Sequence, residues 1–272
     1  MSVSFTKVDP SGNITLIVGS FVPRAEQSRV AAALMQRDKT VEQVGFLEKP
    51  EDESCAVRLQ MMGGEFCGNA SLSAAAVMLK NACAPVGLDC ALSLEVSGAP
   101  ETVLIDGRME DGESFAGSVS MPLPESISEV SFLDGFEEYS FPLVRFPGIC
   151  HAVVPDGALE REKAERLIGK WCADIKAEAL GLMFLNESKM TLTPLVYVAS
   201  TDTAVWEGSC ASGTSAAAAY LAEIDGEMAS VTLTQPRGSL SAEATYSGGM
   251  VRSLRLRGSA VIRASETLDL IF

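Results

Sequence analysis

The sequence predicts an α/β (α+β) protein in which one plan occurs twice: strands, a short turn, a buried helix and further strands. The main observation is a pair of turns built of small residues. Each turn contains one cysteine and leads directly into an Ala-rich helix; the turns span Gly63–Ala70 and Glu207–Thr214. The two helices are apolar almost all round until Lys80 and Glu223, which is typical of helices buried on every side.

In the first half, two strands flank a turn made of Asp9, Pro10 and the residues up to Asn13. A helix is predicted over 24–37, because its apolar residues recur at helical spacing. Apolar stretches and the Asp111-Gly112 hairpin signal predict the strands. They cover 3–8, 14–19, 42–47, 55–62, 90–97, 101–106 and 115–121. The prolines that follow Met121 break this pattern, so we place a domain boundary there.

The second half follows the same order. Its first helix, 158–172, is amphipathic, with Leu159, Leu167 and Trp171 on one face. Its second, Ala-rich helix ends at Gly226, a residue typical of the position after a helix. Strands are predicted at 139–146, 151–154, 181–185, 190–199, 229–234, 240–246, 250–257 and 259–263. The repeated order indicates an internal duplication.

Composition limits the classes of partner. The net charge of the 272 residues is −15, and no basic run offsets it, so we expect no nucleic-acid or membrane partner. No apolar run reaches about 18 residues, and the N-terminus lacks a signal-peptide pattern. Seven cysteines, an odd number, then favour a reducing, cytoplasmic location. The cysteines show no metal-ligand spacing, so we expect no metal.

The position of Cys67 and Cys210 predicts chemistry. A helix N-terminus lowers the pKa of a thiol and binds anions such as a carboxylate. Two matched thiols suit proton transfer on opposite faces of one carbon, which is racemisation of an amino acid without a cofactor. The expected N-caps are Asn69 or Ser71, and Ser212 or Thr214. The backbone N–H groups that we expect to stabilise the developing charge belong to Gly68, Asn69, Gly213 and Thr214.

Three polar residues are further candidates, and each has a simpler interpretation. Asn13 would orient the ammonium or carboxylate of a substrate, or only form its turn. His151, the single histidine, follows a Pro-Gly turn and would assist proton transfer, or be a satisfied core residue. Glu207, three residues before Cys210, would tune that thiol, or be a solvated charge.

These motifs resemble the diaminopimelate epimerase family of cofactor-independent two-cysteine racemases. The match rests on Cys67-Gly68-Asn69, on Cys210 with Gly213, and on the Pro10–Asn13 loop. Gln43 is similar to the early substrate-site Gln of that family, and Gln60 stands where the family usually has a substrate-binding Asn. Gly148 and His151 resemble its Gly-Asn-Pro-His segment. The histidine racemase branch, which supplies D-histidine for opine-type metallophores, is most similar in the stretches Asp9–Asn13, Glu42–Phe46, Glu65–Ala70, Trp206–Thr214 and Gln235-Pro236.

The resemblance implies two similar halves, each a curved sheet around a central helix, with the active site in the cleft between them. We expect these halves at 1–120 plus 259–272, and at 121–258. The implied substrate is histidine. Ser212 joins the substrate-binding set, and a homodimer is compatible with this interpretation. The family's Glu-Arg pair upstream of the second cysteine is absent, since residues 198–203 contain no Arg. This disfavours diaminopimelate.

Alternatives stay open at the level of the sequence. A broad-specificity racemase or an altered diaminopimelate epimerase would use the same thiols. A different class is a thiol redox switch or a soft-metal-binding module. The Asn, Gln and His residues beside the cysteine turns favour the enzyme, because a switch or a metal clamp does not need them.

Overall fold

The computed structural model describes residues 1–270. The secondary structure of this part of the chain is dominated by strands. In chain order the elements are β1 (Ser2–Asp9), β2 (Thr15–Val18), α1 (Arg24–Arg37), β3 (Gln43–Glu48), β4 (Val57–Met61), α2 (Gly68–Asn81), β5 (Cys90–Val96), β6 (Val103–Met109), β7 (Ser114–Ser120), β8 (Ser126–Asp134), β9 (Glu137–Phe146), β10 (Ile149–Pro155), α3 (Arg161–Asp174), β11 (Ala179–Asn186), β12 (Thr191–Val198), β13 (Thr203–Trp206), α4 (Ala211–Asp225), β14 (Met228–Gln235), β15 (Gly238–Ser247) and β16 (Met250–Asp269).

Two compact units divide these elements, and each has its own succession of paired strands. The first comprises Met1–Ser120 and the chain from Arg257 onward, and the second comprises Met121–Leu256. The long strand β16 crosses this division, so its first part belongs to the second unit and the rest to the first. The sequence predicted two strands with a break near residue 258. That prediction is wrong, because the chain stays extended through Gly258 while its sheet partner changes.

The first unit is a ring of eight strands around a helix. Its strand order is β1-β2-β3-β4-β5-β6-β7-β16, and β16 pairs back onto β1. The pairs β2–β3 and β4–β5 are parallel, and each needs a crossover, which α1 and α2 supply. Helix α1 packs on Val3, Leu16, Val44 and Phe46 on one face of the sheet. Helix α2 contacts β1, β2, β3, β5, β6 and β7 and fills the inside of the ring.

The second unit has strand order β8-β9-β10-β11-β12-β14-β15-β16, and β13 pairs with residues 195–198 of β12. Its parallel pairs are β10–β11 and β12–β14. Helix α3 crosses between the first pair, and α4 lies in the connection between the second. Residues of α3 lie at the centre of a core that also includes residues of β8 and β9. There Trp171 stacks on Phe132, with ring centroids 4.7 Å apart. The order antiparallel, parallel, antiparallel, parallel, antiparallel therefore occurs in β1–β6 and again in β9–β15.

The buried nature of the two Ala-rich helices is confirmed. Eleven residues of α2 and nine of α4 are buried, because small side chains allow strands to approach a helix on several sides. Helix α4 ends at Gly226, as predicted, and this residue adopts a left-handed φ of 72°. No helix within residues 1–270 combines the length and apolarity that a membrane span requires.

Candidate active site

Both cysteines occupy the same position in their helices. Cys67 is the N-cap of α2 and Cys210 is the N-cap of α4. The Cys67 Sγ accepts the N–H of Ala70 at 3.4 Å, and the Cys210 Sγ accepts the N–H of Gly213 at 3.4 Å. A hydroxyl four residues on then donates to the cysteine carbonyl, from Ser71 at 2.9 Å in α2 and from Thr214 at 2.7 Å in α4.

These caps correct the sequence-based assignment. Asn69 or Ser71, and Ser212 or Thr214, were expected to be the N-caps. The helices begin earlier because the sulfur itself takes the capping role, which usually falls to a side-chain oxygen.

The earlier start also changes which backbone groups are available for a ligand. The N–H of Gly213 donates to sulfur, and the N–H of Thr214 donates to the Cys210 carbonyl at 3.0 Å. The first two residues of a helix have no intrahelical acceptor. These residues are Gly68 and Asn69 in α2 and Ala211 and Ser212 in α4. Gly213 and Thr214 therefore lose the direct ligand-binding role expected of their N–H groups, and Ala211 enters the candidate set.

The turn before α2 is held by Ser97, which directly follows β5. The Ser97 hydroxyl accepts the N–H of Met61 at 2.9 Å and donates to the carbonyl of Glu65 at 2.9 Å. Ser97 thus links the end of β4 to the turn that carries Cys67. The sulfur of Cys67 lies in a half-buried side chain.

The turn before α4 is held by Gln235, which the sequence analysis did not include among the site residues. Its Oε1 accepts the N–H of Cys210 at 2.8 Å, and its Nε2 donates to the Thr214 hydroxyl at 2.8 Å. Gln235 ends β14 and is buried. The available signal was its place in a stretch similar to the histidine racemase branch, Gln235-Pro236. Packing also favours glycine at position 213, because a Cβ there would overlap the Met183 sulfur and crowd the Cys210 sulfur.

The thiol of Cys210 differs from the expectation for a helix N-terminus. Burial raises its pKa well above the ordinary value, the nearby Glu207 carboxylate raises it further, and that carboxylate accepts a hydrogen bond from the thiol. The Ser212 hydroxyl and the Gly213 N–H act in the opposite direction and are weaker. The expected lowering is therefore wrong for Cys210, because desolvation outweighs the helix field. Glu207 thus acts directly on Cys210.

His151 lies beside this thiol. The ring is fully buried, and its Nε2 is 2.9 Å from the hydroxyl of Ser212. The Ser212 hydroxyl in turn is 3.5 Å from the Cys210 sulfur. Burial lowers the pKa of His151 to about 3, so the imidazole is neutral. Gly181 faces His151 across β10–β11, and a Cβ at that position would overlap the ring.

A second polar group lies at the start of α2. The Asn69 Nδ2 donates to the Oδ1 of Asn13 at 3.3 Å, and the Asn13 Nδ2 donates to the Glu42 carboxylate at 2.7 Å. Asn13 and Asn69 are buried. The buried oxygens Asn69 Oδ1 and Gln43 Oε1 have no hydrogen-bond partner. Such acceptors fit a ligand that carries N–H donors.

Gln43 of β3 and Gln60 of β4 point to opposite faces of the paired strands of the first unit. Gln43 pairs with Thr15 and shares the face of Gly45, which lies against Ile17 and Leu59 inside the ring. Gln60 pairs with Phe46, whose side chain packs in the α1 cluster. The Gln60 amide is bound by Arg58 at 3.4 Å and donates to the Met61 carbonyl at 3.1 Å. The structure therefore does not bring Gln60 to the Cys67 group, because one residue along a strand reverses the face.

The residues that the structure describes include no group of three or more His, Cys, Asp or Glu side chains placed to hold a metal ion. The first unit supplies a capped sulfur and buried amide oxygens, and the second unit supplies a capped sulfur, a neutral imidazole and a carboxylate. This set can move protons and can bind an amino acid through its carboxylate and its ammonium group.

The fold is similar to those of solved epimerase and PhzF-family structures. It is similar to a hydroxyproline epimerase from Agrobacterium vitis with bound trans-4-OH-L-proline, with TM-score 0.71, 14% identity and coverage of 98% of this chain and 91% of that one. It is also similar to a PhzF-family phenazine biosynthesis protein of Bacillus anthracis, with TM-score 0.71, 12% identity and coverage of 99% and 100%. At these identities the likeness shows the fold, a mixed α/β architecture with a sheet-rich barrel.

The sequence comparison defines the family. Residues 2–268 match the family described as histidine racemase CntK N-terminal domain, and the chain belongs to it. A histidine racemase of Fusobacterium nucleatum subsp. nucleatum is 31% identical over 257 residues, covering 88% of each chain. A histidine racemase of Staphylococcus aureus is 28% identical over 217 residues, covering 78% of this chain and 77% of that one.

Proposed function

We propose that this protein is an isomerase, a cofactor-independent amino-acid racemase that interconverts L- and D-histidine. The observation that carries the proposal is the identical capping geometry of Cys67 and Cys210 in a chain of the histidine racemase family. Two thiols at helix N-termini, each beside free N–H groups, suit two-base chemistry at the Cα of a bound amino acid. The chain needs no pyridoxal phosphate in this scheme.

In this scheme one thiol group acts as the base and the other as the acid. A thiolate removes the α-proton from one face of Cα, the electron pair remains on the carbanion, and the other thiol delivers its proton to the opposite face. The enzyme is then left with the charge on the second sulfur. We assign the starting thiol to Cys210, because burial and Glu207 raise its pKa, and the starting thiolate to Cys67. The roles exchange for the other enantiomer.

The polar groups beside each thiol support substrate binding. We propose that the N–H groups of Gly68, Asn69, Ala211 and Ser212 stabilise the charge that develops on the carboxylate. The partnerless oxygens of Asn69 and Gln43 suit the ammonium group, and Asn13 positions Asn69. His151 and Glu207 act on Cys210 rather than on substrate. The contact of His151 with Ser212, which lies beside the Cys210 sulfur, supports the first role, and the interaction of Glu207 with the Cys210 thiol supports the second.

We further propose that the chain is built as a duplicated epimerase-like fold, with halves at 1–120 plus 259–272 and at 121–258. The repeated order of strand pairings and the two central helices support this. Each half supplies one thiol. A reducing, cytoplasmic location keeps both thiols in the active form, and we include it in the proposal.

Proton exchange in D₂O tests the activity directly. Reduced protein is incubated with each common L-amino acid and with diaminopimelate isomers, and loss of the α-proton signal is followed by NMR with chiral chromatography alongside. Exchange and racemisation of histidine alone are expected. Exchange with several amino acids, or only with diaminopimelate, keeps the reaction and replaces the substrate. No exchange with any of them under reducing conditions overturns the racemase.

Treatment with hydroxylamine, which removes pyridoxal phosphate, provides the cofactor control. We expect the treated protein to retain its full rate. A loss of activity that added pyridoxal phosphate restores would contradict the two-thiol scheme.

A further inference from the structure

A hydrogen-bonded chain joins three side chains of the second unit. The Cys210 Sγ is 3.5 Å from the Ser212 Oγ, and the Ser212 Oγ is 2.9 Å from the His151 Nε2. The other ring nitrogen of His151, Nδ1, is buried and has no hydrogen-bond partner. The ring itself is fixed by an edge contact with Phe146, with centroids 6.1 Å apart, and by the space that Gly181 leaves.

The partnerless Nδ1 fixes the direction of the hydrogens. A neutral imidazole has one N–H, on either Nδ1 or Nε2. A proton on Nδ1 would be a buried donor without an acceptor, which is rare and costly in folded proteins. The proton therefore belongs on Nε2, where it donates to the Ser212 oxygen. Since that oxygen already accepts from His151, the Ser212 hydrogen is directed to the Cys210 sulfur.

The sulfur of Cys210 thus has partners for both of its protonation states. The Glu207 carboxylate accepts a hydrogen bond from the thiol form. The Ser212 hydroxyl and the Gly213 N–H, which is 3.4 Å away, both donate to sulfur and suit the thiolate. The pKa of this thiol is affected by burial and by three neighbouring residues, Glu207, Ser212 and Gly213. His151 contacts Ser212 and so affects the sulfur only through that hydroxyl. A residue that alternates between acid and base needs partners of both kinds.

We infer that Ser212 is a positioning residue whose hydroxyl, oriented by His151, donates to the Cys210 thiolate. This inference rests on the proposed function for its purpose, but the hydrogen-bond chain can be tested without turnover. The α2 end is built differently. The residue two positions after Cys67 is Asn69, which donates to Asn13. The chain from imidazole through hydroxyl to sulfur therefore distinguishes the Cys210 end from the Cys67 end.

The experiment measures the alkylation rate of Cys210 as a function of pH, with the modified peptide quantified by mass spectrometry. Because the thiolate is the reactive form, the rate reports how well the charge on that sulfur is stabilised. At one pH below the thiol pKa, Ser212→Ala is expected to slow alkylation of Cys210 about fivefold to tenfold, the effect of one typical intramolecular hydrogen bond. Ser212→Thr retains the hydroxyl and should restore most of the rate.

The role of His151 is tested by a double-mutant cycle. His151→Met removes the donor and should slow alkylation of Cys210 several-fold when Ser212 is present, but add little in the Ser212→Ala background. His151→Gln keeps an N–H donor at a similar reach and should lie near the wild type. Near-ultraviolet circular dichroism of each variant shows whether the core stays folded, and Ser212→Ala alone tests the hydroxyl should the His151 variants unfold.

Two results would overturn the inference. One is an unchanged alkylation rate in Ser212→Ala. The other is a His151→Met effect of equal size in both backgrounds, which would mean that the imidazole acts on sulfur without the hydroxyl. Racemisation is measured separately on the same samples. A protein with the expected thiol behaviour and no exchange of any amino acid would refute the proposed function and leave the hydrogen-bond chain in place.

Discussion

Gln235 holds Cys210 through both ends of its amide: it accepts the Cys210 N–H at 2.8 Å and donates at 2.8 Å to Thr214, whose hydroxyl binds the Cys210 carbonyl at 2.7 Å. The amide comes from the end of β14 and is buried. A buried donor that loses its only acceptor costs more than the bond itself was worth. Gln235 therefore fixes both the stability and the position of the turn that carries the thiol.

Gln235→Leu should lower the free energy of unfolding by about 1–3 kcal/mol, because the Cys210 N–H is left buried without its acceptor. It should also slow the racemisation that we propose, since the sulfur is no longer held in place. Gln27→Leu is the matched control. Gln27 is buried in α1 and binds Glu48 at 2.6 Å, so it should cost stability without affecting Cys210. Equal activity losses in the two variants at equal stability would contradict a positioning role.

Cys67→Ser and Cys210→Ser should each reduce the rates of racemisation of L-histidine and of D-histidine at least about a thousandfold, because a serine hydroxyl replaces a thiol that must ionise. Cys83→Ser, at an exposed cysteine, should leave both rates unchanged. The measurement is NMR exchange in D₂O with chiral chromatography. A single variant of Cys67 or Cys210 that racemises near the wild-type rate would rule out the two-base scheme.

Glu207→Gln should increase the reactivity of Cys210 several-fold at a fixed pH below its pKa. The negative charge of Glu207 disfavours the thiolate, so its removal lowers the thiol pKa and raises the thiolate fraction. Alkylation followed on the Cys210 peptide tests this. Asp225→Asn removes a carboxylate at the far end of the same helix and should have no such effect. Slower alkylation in Glu207→Gln would reverse the sign that we assign to this contact.

His151 should make the protein less stable at mildly acidic pH. Burial lowers its pKa to about 3 from an ordinary 6.5, so below pH 6.5 the unfolded chain binds a proton that the folded chain does not. The free energy of unfolding should therefore decrease as the pH is lowered below 6.5, by up to about 1.4 kcal/mol per pH unit from this residue. This pH dependence ends only near pH 3, where the imidazole of the folded protein also binds a proton.

Denaturant unfolding between about pH 5 and pH 7 measures this slope. His151 is the only histidine in the sequence, so His151→Gln should remove the histidine contribution in one step. An unchanged slope in that variant would show that the imidazole titrates normally in the folded protein.

Gly181→Ala should destabilise the protein by about 1–3 kcal/mol, because the added Cβ would overlap the buried His151 ring and force it to move. The alkylation rate of Cys210 should change as well, since the ring reaches the sulfur through Ser212. Gly112→Ala, at a glycine with open space around it, should be nearly neutral in thermal unfolding. A stable Gly181→Ala protein with unchanged Cys210 reactivity would contradict a tightly packed imidazole.

The sequence by itself determined the features that depend on neighbouring residues. The two cysteine turns, the buried Ala-rich helices, the stop at Gly226 and the family were all readable from it. The glycine stop of a helix and apolar periodicity are local properties, so a short window carries them. Strands with little burial were missed, such as β8 and β13. Their side chains mostly face solvent and give no clear alternation of apolar and polar residues.

The tertiary structure alone decided which residues meet at each thiol. Asn13 binds Asn69, 56 residues later, and His151 binds Ser212, 61 residues later. Only the strand register shows that Gln60 lies on the α1 face and that Gln235 reaches Cys210. The sequence also suggested an ordinary helix-end thiol at Cys210, whereas burial raises its pKa. Desolvation and long-range hydrogen bonds depend on how distant segments pack, and no local pattern in the chain encodes that packing.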